Sequence, residues 1–242
     1  MLERQDQITT ATVEQMYVAF DNGWNALFQE FMGHRSVLIL ISHWALETGW
    51  GKKCHCWNLG NTRTKIGSDT YDWVLYECGE DLDPSEAKRQ IAMDPANAWI
   101  VGPAPHNPGK VSVYFRPRHP TCCFRAFASL EEGVIDYLGL LHKRFPAALP
   151  GLRTGDAVRY VTGLKQHGYF TASVESYLKT FTDVYGPLQK KIPSPVAPPP
   201  APDALSPEAI ARRDALIALA YDEGIRWYLG THKAHHEDSG NA

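Results

Sequence analysis

Residues 36–51 read SVLILISHWALETGWG, and this stretch decides the fold. Apolar side chains recur on nearly every side of it, which predicts a buried helix from Ser36 to about Thr48. The apolar positions are Val37, Leu38, Ile41, Trp44 and Ala45. Helices commonly end at a glycine, so Gly49 and Gly51 predict where this helix stops. The stretch therefore predicts a buried helix with a defined C-terminal end.

Further helical patterns lie on both sides of this stretch. They cover about Thr12–Met32, Ser129–Phe145, Thr154–His167 and Val174–Tyr185. The side chains of Ser129 and Glu132 have the spacing of a capping box, which marks the start of one of these helices. Outside residues 58–118, the first 185 residues are therefore predicted to be mostly helical.

Residues 58–118 differ, because they contain many Gly, Asn, Asp and Pro residues that are typical of turns. Two runs, Tyr71–Cys78 and Val111–Arg116, are typical of β-strands, and a short helix is predicted from about Ser85 to Met93. The predicted fold class is therefore α+β and mainly α. It consists of a helical domain split by a small antiparallel β-lobe, with a cleft between the two.

The composition changes sharply once along the chain. Residues 193–202 read PSPVAPPPAP, and six prolines in ten residues exclude a helix or a central strand. Such a segment favours an extended polyproline helix and predicts a linker over residues 193–205. The linker is either a plain spacer or a ligand for a proline-recognising domain. The main domain is therefore predicted to cover residues 1–192.

Residues 206–242 are predicted to form a C-terminal helix followed by a loose tail. Ser206 has the side chain of a helix cap, and Pro207 suits the first helical position. Apolar side chains then continue to about Leu229 in a stripe that is wide for a solitary helix. We therefore expect this helix to pack on the main domain, on a second copy or on another protein.

The composition excludes several classes of protein. Of the 242 residues, 44% are hydrophobic and 21% are charged, which is typical of a globular protein with one sizeable domain. The 24 basic and 27 acidic residues give a net charge of -3, which argues against nucleic-acid binding. The longest apolar run, Val37–Ile41, is too short to span a membrane. The N-terminus shows no secretory signal, so we expect the chain to be cytoplasmic at synthesis.

Five cysteines are spread through the chain: Cys54, Cys56, Cys78, Cys122 and Cys123. Without a secretory signal, reduced thiols are expected. A zinc site that includes His55, His106 or His119 is the alternative, but the C-x-C and C-C spacings do not match those of paired structural ligands. The sequence therefore predicts packing thiols and no metal.

Glu47 is the carboxylate most suited to chemistry. It lies in the last turn of the predicted helix, where the partial negative charge of the helix end disfavours ionisation. Burial beside Trp44 and Trp50, and near His43, disfavours it further, so we expect a raised pKa. A raised pKa suits a general acid that works near neutral pH. The alternative is an exposed helix-end glutamate without a role.

Aromatic residues are concentrated near Glu47 and in the predicted β-lobe. They are Trp44, Trp50, Trp57, Tyr71, Trp73 and Tyr76. Aromatic rings stack on the apolar faces of sugars, and Trp50 and Trp73 are the candidates for that role here. The alternative is a core stripe, which we expect for at least half of the set. Asn58 supplies an amide at the turn into the β-lobe.

Three motifs follow one another across about residues 36–186. They are ALETGWGKKCHCWNLGN at 45–61, FRAF with SLEE and DY between 124 and 137, and LKQHGY at 164–169. They resemble the ALESGWG…NLFGI, FRxYxSxxES…DY and LKxAGYAT elements of the peptidoglycan β-N-acetylglucosaminidases, glycoside hydrolase family 73 of the lysozyme-like superfamily. The chain departs from that family in its longer, cysteine-bearing β-lobe and in reading FTAS for ATDP at 170–173. The resemblance implies a lysozyme-like fold.

The resemblance also implies roles for single residues. Glu47 matches the family's catalytic acid, and Tyr169 matches a tyrosine that helps to position the substrate. Tyr177 follows where the family has another tyrosine. Asn58 lies where the family's chain turns into the β-lobe, so the resemblance implies that it contacts sugar.

The second carboxylate is implied to be Glu80, because its C-G-E setting resembles the family's T-x-E pattern on the first β-lobe strand. Glu77 is the competitor. In a regular strand the two side chains point to opposite faces, so only one of them can face a cleft.

The resemblance implies a peptidoglycan hydrolase that cleaves the β-1,4 bond between N-acetylglucosamine and N-acetylmuramic acid without a cofactor. Either a second carboxylate or the acetamido group of the substrate assists Glu47. The alternatives are a lytic transglycosylase and a non-catalytic wall-binding or structural module of a phage tail or injection apparatus. A wall enzyme without an export signal needs another route to the wall. This fits a phage endolysin, a virion-associated lysin or a bacterial protein delivered by a secretion apparatus.

Overall fold

The apolar stretch quoted above forms a helix, α2 (His34–Thr48), which is buried continuously from Ser36 to Ala45. The computed structural model describes residues 1–105, 107–170, 172–192 and 207–219. The helix ends where Gly49 adopts the left-handed conformation, with φ at 58°, and donates its N–H to the carbonyl of Ala45. The prediction of a buried helix that ends at Gly49 is confirmed.

In chain order, the elements are α1 (Val13–Phe28), α2, β1 (Trp73–Leu75), β2 (Cys78–Leu82), α3 (Pro84–Met93), β3 (Ala98–Pro103), β4 (Val111–Phe115), β5 (Cys123–Arg125), α4 (Leu130–Arg144), α5 (Leu149–Thr154), α6 (Ala157–Gln166), α7 (Val174–Lys191) and α8 (residues 207–219). Short 3-10 turns at Pro120–Cys122 and Pro146–Ala148 precede β5 and α5. The predicted class, α+β and mainly α, is confirmed.

The chain divides into two units, and each is built from two separate stretches. We call Met1–Thr9 with Cys54–Ala128 the β-rich unit, because it contains all five strands and α3. We call Thr10–Lys53 with Ser129–Ala242 the helical unit, because it contains the remaining helices. Each unit is therefore interrupted in sequence by a part of the other.

Side-chain caps set the starts of several helices in the helical unit. The hydroxyl of Thr12 accepts the N–H of Gln15, and the Gln15 side chain accepts the N–H of Thr12, which completes a capping box for α1. The hydroxyl of Ser129 accepts the N–H of Glu132 at the start of α4, as the sequence predicts. The Glu132 carboxylate forms an ion pair with Arg212, 3.0 Å away, so α8 lies against α4 of its own chain.

Two glycines allow close packing within the helical unit. A Cβ placed on Gly23 of α1 would lie 2.7 Å from Cγ1 of Val134 in α4, so the absence of a side chain lets the two helices approach. A Cβ on Gly163 of α6 would lie 2.3 Å from the carbonyl oxygen of Ala147, in the turn that precedes α5. Neither position has room for a larger residue.

The β-rich unit contains two antiparallel sheets. In one, β1 pairs with β5, and in the other β4 lies between β2 and β3. The N-terminal residues join this unit through β1, since Trp73 donates its N–H to the carbonyl of Leu2 and accepts the N–H of Arg4. The Arg4 guanidinium also pairs with the Asp72 carboxylate at 2.6 Å. The first nine residues are therefore part of the fold of this unit.

The strand predictions are partly wrong. The run Tyr71–Cys78 is not one strand, because β1 ends at Leu75 and Cys78 already begins β2. The run Val111–Arg116 corresponds to β4, and its strand character is confirmed. The sequence analysis missed β3 and β5. β3 combines an exposed Trp99, Ile100 and Val101 with a bulge near Gly102, so it lacks the regular alternation that marks a half-buried strand.

Several predictions fall outside the described residues. These are the linker at 193–205, the cap at Ser206, the end of the terminal helix and the tail at 220–242, and a ligand role for His106. Within the described ranges, no helix is both long enough and apolar enough to cross a membrane.

Candidate active site

Glu47 lies on the last turn of α2, next to a helix stretch that is otherwise buried. With 36% of its side chain exposed, the carboxylate can be reached from solvent. Its Oε1 atom accepts a hydrogen bond of 2.9 Å from the hydroxyl of Tyr177 in α7. The same oxygen lies 3.6 Å from Nε2 of His43, one helical turn earlier. The local arrangement therefore holds one carboxylate oxygen between a phenol and an imidazole.

The His43 ring is fully buried and is held from its other side. The hydroxyls of Tyr160 and Tyr137 lie 2.5 Å and 2.6 Å from Nδ1. The two tyrosines belong to α6 and α4, so three helices position one imidazole. The ring of Tyr169 packs edge-on against it, with the centroids 4.7 Å apart. The ring orientation is thereby fixed by packing and by hydrogen bonds.

The hydrogen bonds of the two tyrosines determine where the His43 ring carries its proton. Burial raises the pKa of both Tyr137 and Tyr160, so each hydroxyl keeps its hydrogen and donates. Both hydroxyls lie within hydrogen-bonding distance of Nδ1, so this atom can serve as their acceptor. An imidazole that accepts at Nδ1 carries a hydrogen on Nε2, the atom that faces Glu47. The chain of contacts therefore directs an N–H towards the carboxylate.

The pKa of Glu47 does not move in the predicted direction. Burial raises it, but the neighbouring His43 imidazole, together with the hydrogen bond from Tyr177, outweighs burial. The pKa is therefore held below its ordinary value, and the prediction of a raised pKa is wrong. The predicted shift rests only on the helix end and the indole rings, whereas His43 and Tyr177 stabilise the charged form.

Tyr177 contacts the carboxylate directly, and Tyr169 packs against His43, so the role of Tyr169 in positioning the substrate stays a prediction. Burial raises the pKa of Tyr177, and the negative charge of Glu47 raises it further, so the phenol remains a donor. Its ring stacks on Phe170 with the centroids 3.9 Å apart and an angle of 5° between the planes. Tyr169 packs on both His43 and Phe145. The two tyrosines are thus held rigidly beside Glu47.

The two tryptophan candidates have different environments. Trp50 is 44% exposed, and its ring packs nearly perpendicular to that of Trp44, with the centroids 6.2 Å apart. Its backbone is left-handed, with φ at 61°, which is uncommon for a large side chain. Trp73 is only 8% exposed and lies within β1. The prediction that Trp73 stacks on sugar is therefore wrong, because the ring belongs to the core.

Asn58 stabilises a turn and has no free polar capacity. It is 3% exposed, and its amide donates to the carbonyls of Thr62 and Arg125. Its side-chain oxygen accepts from both the N–H and the hydroxyl of Thr62. All four hydrogen-bonding positions of the amide are used within the β-rich unit. The implied sugar contact of Asn58 is therefore wrong.

Glu80 and Glu77 each have one partner in the β-rich unit. Glu80 lies in β2 and accepts a hydrogen bond from the Arg63 guanidinium. Glu77 directly precedes β2 and accepts one from the hydroxyl of Tyr114 in β4. Glu80 therefore lies beside a fixed positive charge and Glu77 beside a neutral phenol. Which of them assists Glu47 stays a prediction.

The cysteines and histidines do not gather into a metal site in the described part of the chain. No group of three or more His, Cys, Asp or Glu side chains has the proximity that metal binding needs there. His119 uses its ring to hold the turn before β5, accepting the N–H of Thr121. His55 contacts Asp6 and stacks on Tyr76. These two histidines therefore have roles within the β-rich unit.

Tyr160 is absent from the residues that the sequence predicts for the site, and His43 is among them only as a neighbour of Glu47. The signal that could have identified them is a polar atom on the side chain of a fully buried residue, one in α2 and one in α6. Buried polar groups need partners, which predicts that they meet. Comparisons of the chain with protein-family models, with curated proteins and with solved structures found no match.

Proposed function

We propose that the chain is a peptidoglycan hydrolase that cleaves the β-1,4 bond between N-acetylglucosamine and N-acetylmuramic acid. In this reaction Glu47 donates a proton to the glycosidic oxygen. The observation that carries the proposal is the setting of Glu47, a solvent-accessible carboxylate held by Tyr177 and facing the Nε2 atom of His43. A surface glutamate without a role needs no such support. The order of the three sequence motifs adds to it.

Glu47 starts the cycle as a carboxylate, because its pKa lies below the ordinary value. A general acid must carry a proton when the glycosidic oxygen leaves. A glycan that covers the exposed part of the side chain removes water from it, and loss of water favours the neutral form. The hydrogens of Tyr177 and of His43 Nε2 then hold the carboxyl in one orientation while its other oxygen serves the substrate.

The exposed part of Trp50 supplies an apolar surface for a sugar ring near the end of α2. Tyr169 lies within the cluster that fixes His43, so it positions the catalytic side chains as well as bordering the carboxylate. In the hydrolytic scheme, Glu80 or Glu77 activates water, or the acetamido group of the substrate takes part. A lytic transglycosylase uses the same acid and forms an anhydro-muramic product.

The decisive experiment is digestion of purified peptidoglycan, with the released fragments identified by mass spectrometry. Hydrolysis as proposed releases fragments with N-acetylglucosamine at the reducing end. Anhydro-muramic ends would replace this proposal with the lytic transglycosylase. Intact peptidoglycan after long incubation would favour the non-catalytic wall-binding or structural module.

The same digestion should be run with Glu47→Gln. The amide keeps the shape of the side chain but has no acidic proton, and a positioned general acid contributes about 10²- to 10⁴-fold in rate. We expect a loss of activity on that order while the circular dichroism spectrum stays unchanged. Glu175→Gln is the matched control, because Glu175 lies on the exposed first turn of α7, two residues from Tyr177. Near-normal activity of Glu47→Gln would refute the proposed role.

A further inference from the structure

Cys78 and Cys122 are far apart in sequence, but their thiols lie close together in the β-rich unit. Their Sγ atoms lie 3.7 Å apart, in hydrogen-bonding contact. Cys78 is the first residue of β2, and Cys122 closes the 3-10 turn before β5. All five cysteines carry free thiols. Two sulfurs at this distance need only a short approach to form a covalent bond.

The two thiols have different surroundings. Cys78 is partly exposed, whereas Cys122 is fully buried among Ala87, Val113 and Phe115. Cys78 packs on the edge of this apolar cluster and on the neighbouring one, which contains Val74 and Phe124. A reagent from solvent therefore meets Cys78 first, with Cys122 directly behind it.

The electrostatic surroundings of the two thiols also differ, and they too favour Cys78 as the reactive thiol. The hydrogen bond from Cys122 lowers the pKa of the Cys78 thiol, burial opposes this, and the positive charge of Arg63 lowers it further. The pKa of Cys122 is raised, because it donates that hydrogen bond and is buried. The thiolate is the reactive form of cysteine, so the accessible partner is also the more nucleophilic one.

We propose that Cys78 and Cys122 form a thiol–disulfide exchange site for small disulfides, with Cys78 as the attacking thiol and Cys122 as the resolving thiol. This site is separate from Glu47 and does not depend on the proposed hydrolase activity. Its product is an internal disulfide that links the start of β2 to the turn before β5.

The exchange with oxidised glutathione balances in two steps. The Cys78 thiolate attacks one glutathione sulfur, the glutathione S–S bond breaks, and a glutathione thiolate leaves and takes up a proton. Cys122 then loses its proton and attacks the Cys78 sulfur of the mixed disulfide, which expels the second glutathione. Two protein thiols are oxidised to one disulfide, and one glutathione disulfide is reduced to two thiols.

The other cysteines are poorer candidates. Burial raises the pKa of Cys54 and of Cys123 to about 11. Burial also raises that of Cys56. Cys123 neighbours Cys122 in sequence and is equally buried, which makes it a matched control.

The test uses the reduced full-length chain with oxidised glutathione, followed by alkylation and peptide mass spectrometry without reductant. We expect a peptide cross-linked through Cys78 and Cys122, with loss of two thiols per chain. Cys122→Ser should stop at the mixed disulfide and accumulate glutathione on Cys78. Cys78→Ser should lose both products, and Cys123→Ser should react like the wild type.

Three results would overturn the proposal. One is a wild-type chain that keeps both thiols free at an excess of oxidised glutathione. Another is a cross-link that joins a different pair of cysteines. The third is Cys122→Ser without a glutathione adduct on Cys78. Mapping the disulfides of the wild type by mass spectrometry is enough to detect either of the first two results. The proposal therefore stays testable if a serine variant folds poorly.

Discussion

The Nε2 atom of His43 lies 3.6 Å from Oε1 of Glu47, one turn further along α2, and is buried without a hydrogen-bond partner among the described residues. The opposite side of the ring is fixed by Tyr137 and Tyr160. An unpaired buried N–H is costly, so a small movement of the carboxylate towards it is favourable. The pair therefore favours a charged Glu47 in the resting protein.

The stability of the fold should reflect this preference. The pKa of Glu47 is lower in the folded protein than in a free chain, where a glutamate has a value of about 4.3. The charged side chain therefore stabilises the fold above that value, and this contribution is lost as the pH falls through the folded pKa. We expect the wild type to gain stability over Glu47→Gln as the pH rises from about 3 to about 6. Urea unfolding of both proteins at several pH values measures this difference in the free energy of unfolding. A difference that stays constant with pH would contradict the assignment.

Tyr177→Phe should shift the pH dependence of catalysis. The variant removes the hydroxyl that lowers the pKa of Glu47 and keeps the ring that stacks on Phe170. The pKa of Glu47 then rises, so the protonated acid persists to higher pH. In the pH profile of kcat/KM on soluble wall fragments, the alkaline limb should therefore move to higher pH. Tyr185→Phe, on the same helix, is the control and should leave the limb in place.

The carboxylates of the β-rich unit can be separated by matched amides. Glu80→Gln should reduce turnover by about 10²-fold or more if Glu80 activates water, whereas Glu77→Gln should have little effect. Both residues have a single hydrogen-bonded partner that an amide can retain, so both variants should fold. A reversed order would assign the role to Glu77. Equal and small losses would favour assistance by the acetamido group of the substrate.

Two glycines in helices should respond to alanine to different extents. Gly163→Ala forces a Cβ to within 2.3 Å of a backbone oxygen that cannot move alone, so the helical unit should lose several degrees of melting temperature. Gly186 in α7 has no atom beyond its chain neighbours within 4 Å of a new Cβ, but it precedes Pro187, whose ring disfavours the helical conformation of a residue that carries a Cβ. We expect Gly186→Ala to lower the melting temperature less than Gly163→Ala does. Thermal unfolding of the two variants tests the packing.

The sequence predicts the helices well, because periodic apolar positions and caps act locally. Gly49 ends α2, and Ser129 starts α4, in both cases where the residue type requires it. The strands are predicted less well. β5 has only three residues, Cys123–Arg125, and exists because β1 lies beside it. A pairing partner 50 residues away in sequence leaves no local pattern to read.

The site is predictable in its main residue and not in its electrostatics. Glu47 and Trp50 are identifiable because a carboxylate and an indole follow a buried helix. The direction of the pKa shift was wrong because it depends first on the orientation of His43, which distant helices set, and then on Tyr177, which reaches Glu47 from a position 130 residues later. Asn58 and Trp73 were misassigned because sequence does not reveal that their polar groups and faces are already occupied.

The interleaved connectivity of the two units has a consequence for synthesis on the ribosome. The last residue that the β-rich unit needs is Ala128, whereas the helical unit still lacks α4 to α7 at that point. The part of the apolar surface of α2 that packs on α5 and α7 must therefore stay uncovered while more than sixty further residues emerge. Chains fold as they appear, and exposed apolar surface favours aggregation. We expect ribosome-bound chains whose residues 1–128 have left the exit tunnel to hold a structured β-rich unit and an α2 that binds chaperones, detectable by limited proteolysis.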